Sequence, residues 1–500
     1  MAVGKQRVTL CMIVRDEEQN LEACLNPIAD LFDEIVIIDT GSRDRTVEIA
    51  RRFTSHVHHF PWCDDFSAAR NESLRHATGD WVFWLDADDR VRPAQVAPLR
   101  ELLGRLDDRP RLYMLNTIVL SSTPGEEPRL VSHPRLFRRH PELQWRGRVH
   151  EQLMPSFDLP HYERLFSKIE IEHVGYQDRL LTERKSRRKL RLLRMDYAVD
   201  PNNPSVLFHL GIGLVFAGNY PEATRHFLRL LNMNLTPTDA VPWVYDALID
   251  LSLLAGNPAE AARYAERALA LFPDDEYLLY ARAKTFYICK DYQPAICLLE
   301  RAIRAPHREL LFQVPGNVKT KLAPLMLGAA HRMLGDSAQA EAALQAVLNS
   351  DAADCEALFN LGLLYLDQGR RTDLVQLMQR LLETPRGALN SKLLAALCYL
   401  RHGNLDVARQ LIDDVIANDP NLIRARMLRV EWLSRSNSPL EELIRAINDV
   451  LRVQPGLFEA QNWLRKVHQM QAAAADAARA APAAMPAWSS PAVVMQGIPA

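Results

Sequence analysis

The chain has little of what marks a secreted, membrane-spanning or nucleic-acid-binding protein. Its seven cysteines, Cys11, Cys24, Cys63, Cys289, Cys297, Cys355 and Cys398, are odd in number and include no Cys-x-x-Cys pair. Neither a disulfide framework nor a zinc site is written into that spacing. Most of them lie inside apolar runs, as reduced packing residues do, which favours a cytoplasmic location. No apolar stretch approaches the roughly eighteen residues a membrane span requires, and Val8 to Val14 is too short for a signal core and runs into Arg15-Asp16-Glu17-Glu18. Charge of one sign is missing too: 60 basic residues face 62 acidic ones, a formal charge of -2. That removes any global argument for nucleic acid or an anionic membrane as partner. There is no Gly-x-Gly-x-x-Gly after a strand, no Walker loop and no His-Glu-x-x-His. What is left is 500 residues, 48% hydrophobic and 24% charged, enough for two or three domains with separate cores.

The periodicity changes once along the chain. From Val8 to about His140, short β-rich runs (Val8-Val14, Glu34-Asp39, Trp81-Asp86) alternate with amphipathic stretches (Asn20-Asp30, Asp44-Phe53, Ser67-Ala77), which predicts a mainly parallel sheet flanked by helices. Ligands of such sheets bind beyond the carboxyl ends of the strands. The polar clusters lie there: Arg15 to Glu18, Asp39 to Ser42, and Asp86 to Asp89.

Beyond Ser205 the pattern becomes paired helices, with Gly218, Gly256, Lys290, Gly335, Gly369 and Gly403 at the turns. Small residues recur five after the turn (Ala223, Ala261, Ala295, Ala340, Ala408, with Leu374 breaking the rule) and seven before it (Gly211, Ala283, Gly328, Gly362, Ala396). They let the two helices of a unit approach closely. This resembles the tetratricopeptide repeat, in about seven units with one long junction between Lys290 and Gly335. The expected division is a catalytic domain over 1–178, a basic helical connector over 179–204, repeats over 205–470 and a disordered Ala/Pro-rich tail over 471–500. In the connector, eight Lys or Arg surround Leu190, Leu192 and Leu193. Either it is a solvated helix packing a leucine face, or its first turn helps to hold anionic groups.

Asp86 and Asp88 leave a buried-strand signal, Trp81 to Leu85, and being two apart they point the same way. Such a pair suits a hard divalent cation, which takes carboxylates together with phosphate oxygens of a substrate. Cys11 to Glu18, Ile37 to Thr46, Asp65 to Asn71 and Gly79 to Asp89 resemble, in order and spacing, the motifs of family 2 glycosyltransferases, and more narrowly bacterial members that carry tetratricopeptide repeats after a GT-A domain. The resemblance covers about residues 5 to 178. It implies an α/β GT-A (Rossmann-like) domain, followed by an all-α superhelix, and an inverting transferase that uses a nucleotide-diphosphate sugar and Mn²⁺ or Mg²⁺.

On that resemblance Asp86 and Asp88 hold the metal, and a late histidine, His173, completes its sphere unless it is simply structural. Arg15, Asp16, Glu17 and Asp39 can accept or give hydrogen bonds to a base edge or ribose, Asp39 being the family's nucleotide residue. Gly41 and Ser42 form the tight turn beside it, where Ser42 and Asp44 could equally just cap a helix. Arg70 offers a fixed cation to the donor diphosphate, unless it is spent on Asp65 or Asp86. The family's general base is a carboxylate, often in Glu-Asp; this chain shows His150-Glu151 instead, so Glu151 is the expected base and His150 the alternative. Trp145 either stacks on a sugar or belongs to the core.

The reading is a transferase that moves a sugar onto a macromolecular acceptor, protein or glycan, held by the repeats. Its rival is a catalytically inactive repeat scaffold for protein–protein interaction.

Overall fold

The structure, a computed structural model, describes residues 6–120, 129–154, 162–175, 179–233, 240–306, 317–384, 387–436, 438–454 and 457–480. The N-terminal part holds ten strands: β1 (Val8–Val14), β2 (Glu34–Asp39), β3 (Val57–His59), β4 (Trp81–Asp86), β5 (Asp89–Arg90), β6 (Arg111–Val119), β7 (Arg129–Arg138), β8 (Gln144–Arg146), β9 (Gln152–Met154) and β10 (Glu163–His173). Eight of them form one sheet in the order β3-β2-β1-β4-β7-β6-β10-β5, while β8 and β9 pair separately. β1 lies parallel between β2 and β4, as the sequence implies. From β7 onward the sheet is mixed: β7 runs antiparallel to β4 and β6, β10 parallel to β6, and β5 antiparallel to β10.

Alternation along the central strands explains why they read as continuous apolar runs. Leu10, Met12, Ile37, Phe83 and Leu85 enter one core, with Leu21 and Leu99 packed on it. Cys11, Val36, Ile38, Val82 and Trp84 enter the other, with Phe137 and Trp145. Both faces are therefore covered, the condition for parallel strands to persist. Pro134 to Arg138, whose proline is a usual mark of an edge strand, lies instead inside β7 between two neighbours. The missing N–H of Pro134 is tolerated because the β6–β7 register shifts at Tyr113/Met114, opposite it, as bulges allow.

Helices α1 (Leu21–Leu25), α2 (Thr46–Ala50), α3 (Phe66–His76), α4 (Pro93–Gly104) and α5 (Arg179–Val199) belong to this part and the connector, and α6 (Pro204–Phe216) and α7 (Tyr220–Leu231) form the first helical pair after it. Pairs recur as far as Leu440–Val453, and a last helix spans Phe458–Ala480, carrying helix past residue 470; the rest of the expected tail lies outside the described residues. Gly218, Gly256, Lys290, Gly335, Gly369 and Gly403 all have positive φ. Five of these turns carry Asn or Asp next, and in four of them the side chain, that of Asn219, Asn257, Asp336 or Asn404, accepts a backbone N–H three residues on. A left-handed residue thus ends one helix and the Asx side chain begins the next. Inside the pairs the small residues do what their spacing implies: a Cβ on Gly211 would come within 2.4 Å of the Phe227 ring, and Ala223, Ala261, Ala295, Ala340 and Ala408 are fully buried.

Compactness divides the chain within the repeats. One unit comprises 1–253 and 257–387, the other 254–256 and 388–500. No helix among the described residues is long and apolar enough to cross a membrane.

Candidate active site

The register of three parallel strands sets the site. Val14 stands opposite Asp39 and Ile13 opposite Asp86, so the polar residues that follow β1, β2 and β4 emerge along one edge. Behind β1 and β2 the loops are stitched together: the Asp16 N–H donates to Ser42 Oγ at 3.0 Å, Arg43 N–H to Asp16 Oδ1 at 2.7 Å, and Glu17 N–H to Thr46 Oγ1 at 2.7 Å. Asp16 takes a positive φ of 55° to do so. Asp39 is 5% exposed and accepts the N–H groups of Gly41 and Ser42 at 3.2 and 3.0 Å, with His59 Nδ1 at 3.3 Å. Arg15 and Asp16 remain half-exposed at the rim as an ion pair of 3.8 Å. Asp44 accepts the N–H groups of Glu18 and of Thr46, the first residue of α2.

Across the edge, at the end of β4, the carboxylates gather. Ligand atoms of Asp86, Asp88, Asp89 and His173 all lie within 4.8 Å of one another. His173 is brought there by the sheet itself, since the antiparallel pairing of β10 with β5 sets it opposite Asp89. Asp89 is fully buried. Its carboxylate accepts from Arg135 Nη1 at 2.7 Å and from the Asp86 N–H at 2.9 Å, and lies 2.9 Å from His173 Nδ1. Burial works against its charge, but Arg135 and His173 outweigh it and hold the carboxyl well below the usual range. The His173 imidazole is raised despite its burial, by its bond to Asp89 and by Asp88 and Asp86. Asp88, 7% exposed, lies 3.5 Å from His173 Nδ1 and 3.2 Å from Lys185 Nζ. Glu17 stands close enough for burial, and the charges of Asp88 and Asp86 after it, to raise its carboxyl although Asn20 Nδ2 donates to it at 2.8 Å.

The next layer is one guanidinium. Arg70, on α3, gives Nη2–H to Asp86 at 2.9 Å and Nε–H to Glu151 at 2.6 Å. Its Cζ lies 4.1 Å from the Trp84 ring centroid and 5.3 Å from that of Trp145. Burial disfavours its charge, yet the two carboxylates raise it further above the ordinary arginine range. Trp145, 4% exposed and edge-on to Trp84 at 5.5 Å, belongs to the core. Asp65, the other partner considered for Arg70, instead caps α3 by accepting from the Ala68 N–H at 3.0 Å. Glu151 Oε2 makes no hydrogen bond among the described residues.

His150 turns the other way. At a φ of 52° its ring stacks on His209 of α6, centroids 4.1 Å apart and 2° from coplanar. His150 is exposed at the surface yet crowded by protein at longer range. That crowding, then His209 and Lys189, holds it well below the ordinary imidazole range. His209 is pushed down to about 4 by burial and then Lys189. α5 is tied to the same segments: Arg191 pairs with Asp64 at 2.6 Å, and Asp196 accepts the Arg148 N–H at 2.9 Å.

Residues 9–159 match the family model described as Glycosyl transferase family 2, and residues 242–285 and 357–391 match two tetratricopeptide repeat models. The chain joins a family 2 glycosyltransferase domain to tetratricopeptide repeats. A TPR repeat-containing protein of Synechococcus elongatus is 34% identical over 263 residues, 51% of this chain and 63% of that protein. The SPbeta prophage-derived glycosyltransferase SunS of Bacillus subtilis is 27% identical over 230 residues, 45% of this chain and 53% of its own length. The match thus spans less than two thirds of either curated relative. Among solved structures, a tetratricopeptide repeat protein from Parabacteroides merdae aligns at a TM-score of 0.41 and 15% identity, covering 50% of this chain and 93% of that one.

Within the family 2 domain, then, Asp86, Asp88, His173, Arg70 and Glu151 converge, Glu17 borders them, and Asp39, Gly41 and Ser42 form a turn at the neighbouring strand end. His150 faces the repeats rather than the acidic cluster. Three residues escaped the sequence reading. Asp89 was legible as the third carboxylate of Asp86-Ala87-Asp88-Asp89. Arg135, 1% exposed, had only its place in an apolar strand as a signal. Lys185 was one of many basic residues in the connector.

Proposed function

We propose that the chain is an inverting, metal-dependent glycosyltransferase that moves a sugar from a nucleotide-diphosphate donor to a macromolecular acceptor. The observation that carries this reading is the cluster of Asp86, Asp88, Asp89 and His173 standing one guanidinium away from Glu151. Its charge fits a divalent ion: the carboxylates of Glu17, Asp86, Asp88, Asp89 and Glu151 outnumber the fixed cations Arg70, Arg135 and Lys185 by two. Asp86, Asp88 and His173 would hold Mn²⁺ or Mg²⁺, which supplies Lewis-acid stabilisation to a departing diphosphate. Asp89 keeps the His173 ring in place, as carboxylates behind metal-binding histidines do. Asp39 with the Gly41-Ser42 turn, and Arg15, Asp16 and Glu17 across from it, border the nucleotide.

Arg70 acts on geometry. Holding Asp86 with one edge and Glu151 with another, it fixes the separation between the donor side and the base. Glu151 keeps Oε2 for the acceptor. The bond from the acceptor's oxygen, sulfur or nitrogen to the anomeric carbon forms as the bond from that carbon to the diphosphate oxygen breaks on the opposite face. The proton of the nucleophile passes to Glu151 and the electron pair leaves with the diphosphate. One displacement inverts the centre.

A panel of nucleotide sugars screened by thermal shift, with and without Mn²⁺, identifies the donor, since a ligand that binds only the folded state raises its melting temperature. Hydrolysis of that donor should then require Mn²⁺, fall to background with excess chelator, and vanish in Asp88→Asn while the circular dichroism spectrum is unchanged. Undiminished hydrolysis under chelator or in Asp88→Asn would leave the metal mechanism without support, and no hydrolysis of any donor would favour the scaffold reading.

A further inference from the structure

Lys185 is a connector cation placed on the acidic cluster. Its ammonium lies 3.2 Å from Asp88 Oδ2 and donates to the Gly175 carbonyl at 3.0 Å. The fit is close. A Cβ on Gly175 would lie 2.0 Å from Asp88 Oδ2 and 2.9 Å from Lys185 Nζ, so only glycine leaves room for the pair. Lys185 also lowers the Glu17 carboxyl that burial and the neighbouring aspartates raise. Arg70 and Arg135 are committed elsewhere, to Asp86 with Glu151 and to Asp89.

We infer that Lys185 is a resident counter-ion of Asp88 that a divalent metal must displace, and that it then turns onto the donor diphosphate. This rests on the metal-dependent reading above. Two physical facts carry it. An ammonium and a metal ion compete for one carboxylate, because each lowers the negative potential that attracts the other. Once a metal has taken Asp88, the charge excess of the cluster is neutralised, and an incoming diphosphate makes it negative again. Lysine then has a new anion within reach of its flexible four-carbon stem, which rotates without moving the helix. A point charge on a mobile stem is suited to change partners. The exchange involves no covalent step.

The consequence concerns α5. Two turns of helix beyond Lys185 bring Leu192 and Leu193, both buried, and α6 follows. The residue that changes partner thus belongs to the element that leads into the repeats.

The test uses the full chain, its Lys185→Met and Lys185→Arg variants, and binding rather than turnover. Mn²⁺ alone is titrated by the electron paramagnetic resonance of the free ion, and inorganic pyrophosphate is titrated calorimetrically at saturating Mn²⁺. Lys185→Met should bind Mn²⁺ about 5-fold or more tightly than the wild type, the lower limit for two unit charges about 4 Å apart in water. It should bind pyrophosphate about 10-fold or more weakly, as expected for loss of one charged hydrogen bond. Lys185→Arg should retain most of the pyrophosphate affinity. Unchanged or weaker Mn²⁺ binding in Lys185→Met, or unchanged pyrophosphate binding, overturns the inference while leaving the metal site standing. A wild type that binds no Mn²⁺ overturns both.

Discussion

At the scale of single residues, the proposed chemistry depends on one arginine that shares two carboxylates. Arg70 is 6% exposed and packs against two indoles, so its guanidinium cannot follow a wandering partner. Glu151 is thereby held at a fixed distance from Asp86, with Oε1 occupied. Replacing it with glutamine keeps the shape and the acceptor toward Arg70 but removes the proton-accepting charge. Glu151→Gln should lower turnover about 10²-fold or more with donor affinity nearly unchanged, measured as kcat against donor Kd. If it keeps full turnover and His150→Ala does not, the base is His150. The convergence of Asp86, Asp88 and His173 was legible because Asp-x-Asp after an apolar strand has a defined direction. The partner of His173 was not, because the contact is made 84 residues away along the chain by a pairing that no local pattern announces. His150 shows the opposite failure. Adjacent to Glu151 in sequence, it faces away because a positive φ at that residue turns the chain.

At the scale of elements, the repeats were read from their glycines, and the structure separates two uses of that residue. Gly218 (φ 74°) has nothing within 4 Å of an added Cβ; it is there for its backbone. Gly211, inside α6, has ordinary helical geometry but lies against the Phe227 ring. Alanine should therefore cost about 1–2 kcal/mol at Gly218 from left-handed strain alone. At Gly211 it should cost about 1–3 kcal/mol from overpacking, and the α6–α7 pair must open. Hydrogen exchange of α6 and α7 amides distinguishes them: Gly211→Ala should lose protection on both helices, Gly218→Ala only at the turn. The Asx caps after four of the turns were in plain view and could have sharpened the boundaries. Pro134 misled because a proline in a strand pattern is a good edge signal, and a register shift in the partner strand is invisible until the partner is known.

At the scale of the molecule, the repeats do more than follow the transferase domain. His209 of α6 forms one face of the stack on His150, the residue beside the proposed base, and α5 is fastened to Asp64 and Arg148. Truncation after residue 204 removes that face. Donor hydrolysis should remain measurable in such a protein, whereas transfer to a macromolecular acceptor should be lost, and His209→Ala in the full chain should reduce transfer in the same direction without reducing hydrolysis. Equal transfer by both variants, scored by mass spectrometry of the acceptor, would mean that the repeats serve assembly or stability.

The closing of the sheet by β10 on β5 has a consequence for how the protein is made. Asp86, Asp88 and Asp89 leave the ribosome together, but His173 follows Asp89 by 84 residues and Lys185 follows Asp88 by 97. At a synthesis rate of about 5–20 residues per second, Asp89 and Asp88 wait some seconds for His173 and Lys185. Until then β1, β2 and β4 can pair, since those contacts are already available, while the acidic end of β4 stays hydrated and open. The last strand to be translated is thus the one that completes the cluster, and Asp88 meets its ammonium only once the connector itself has emerged.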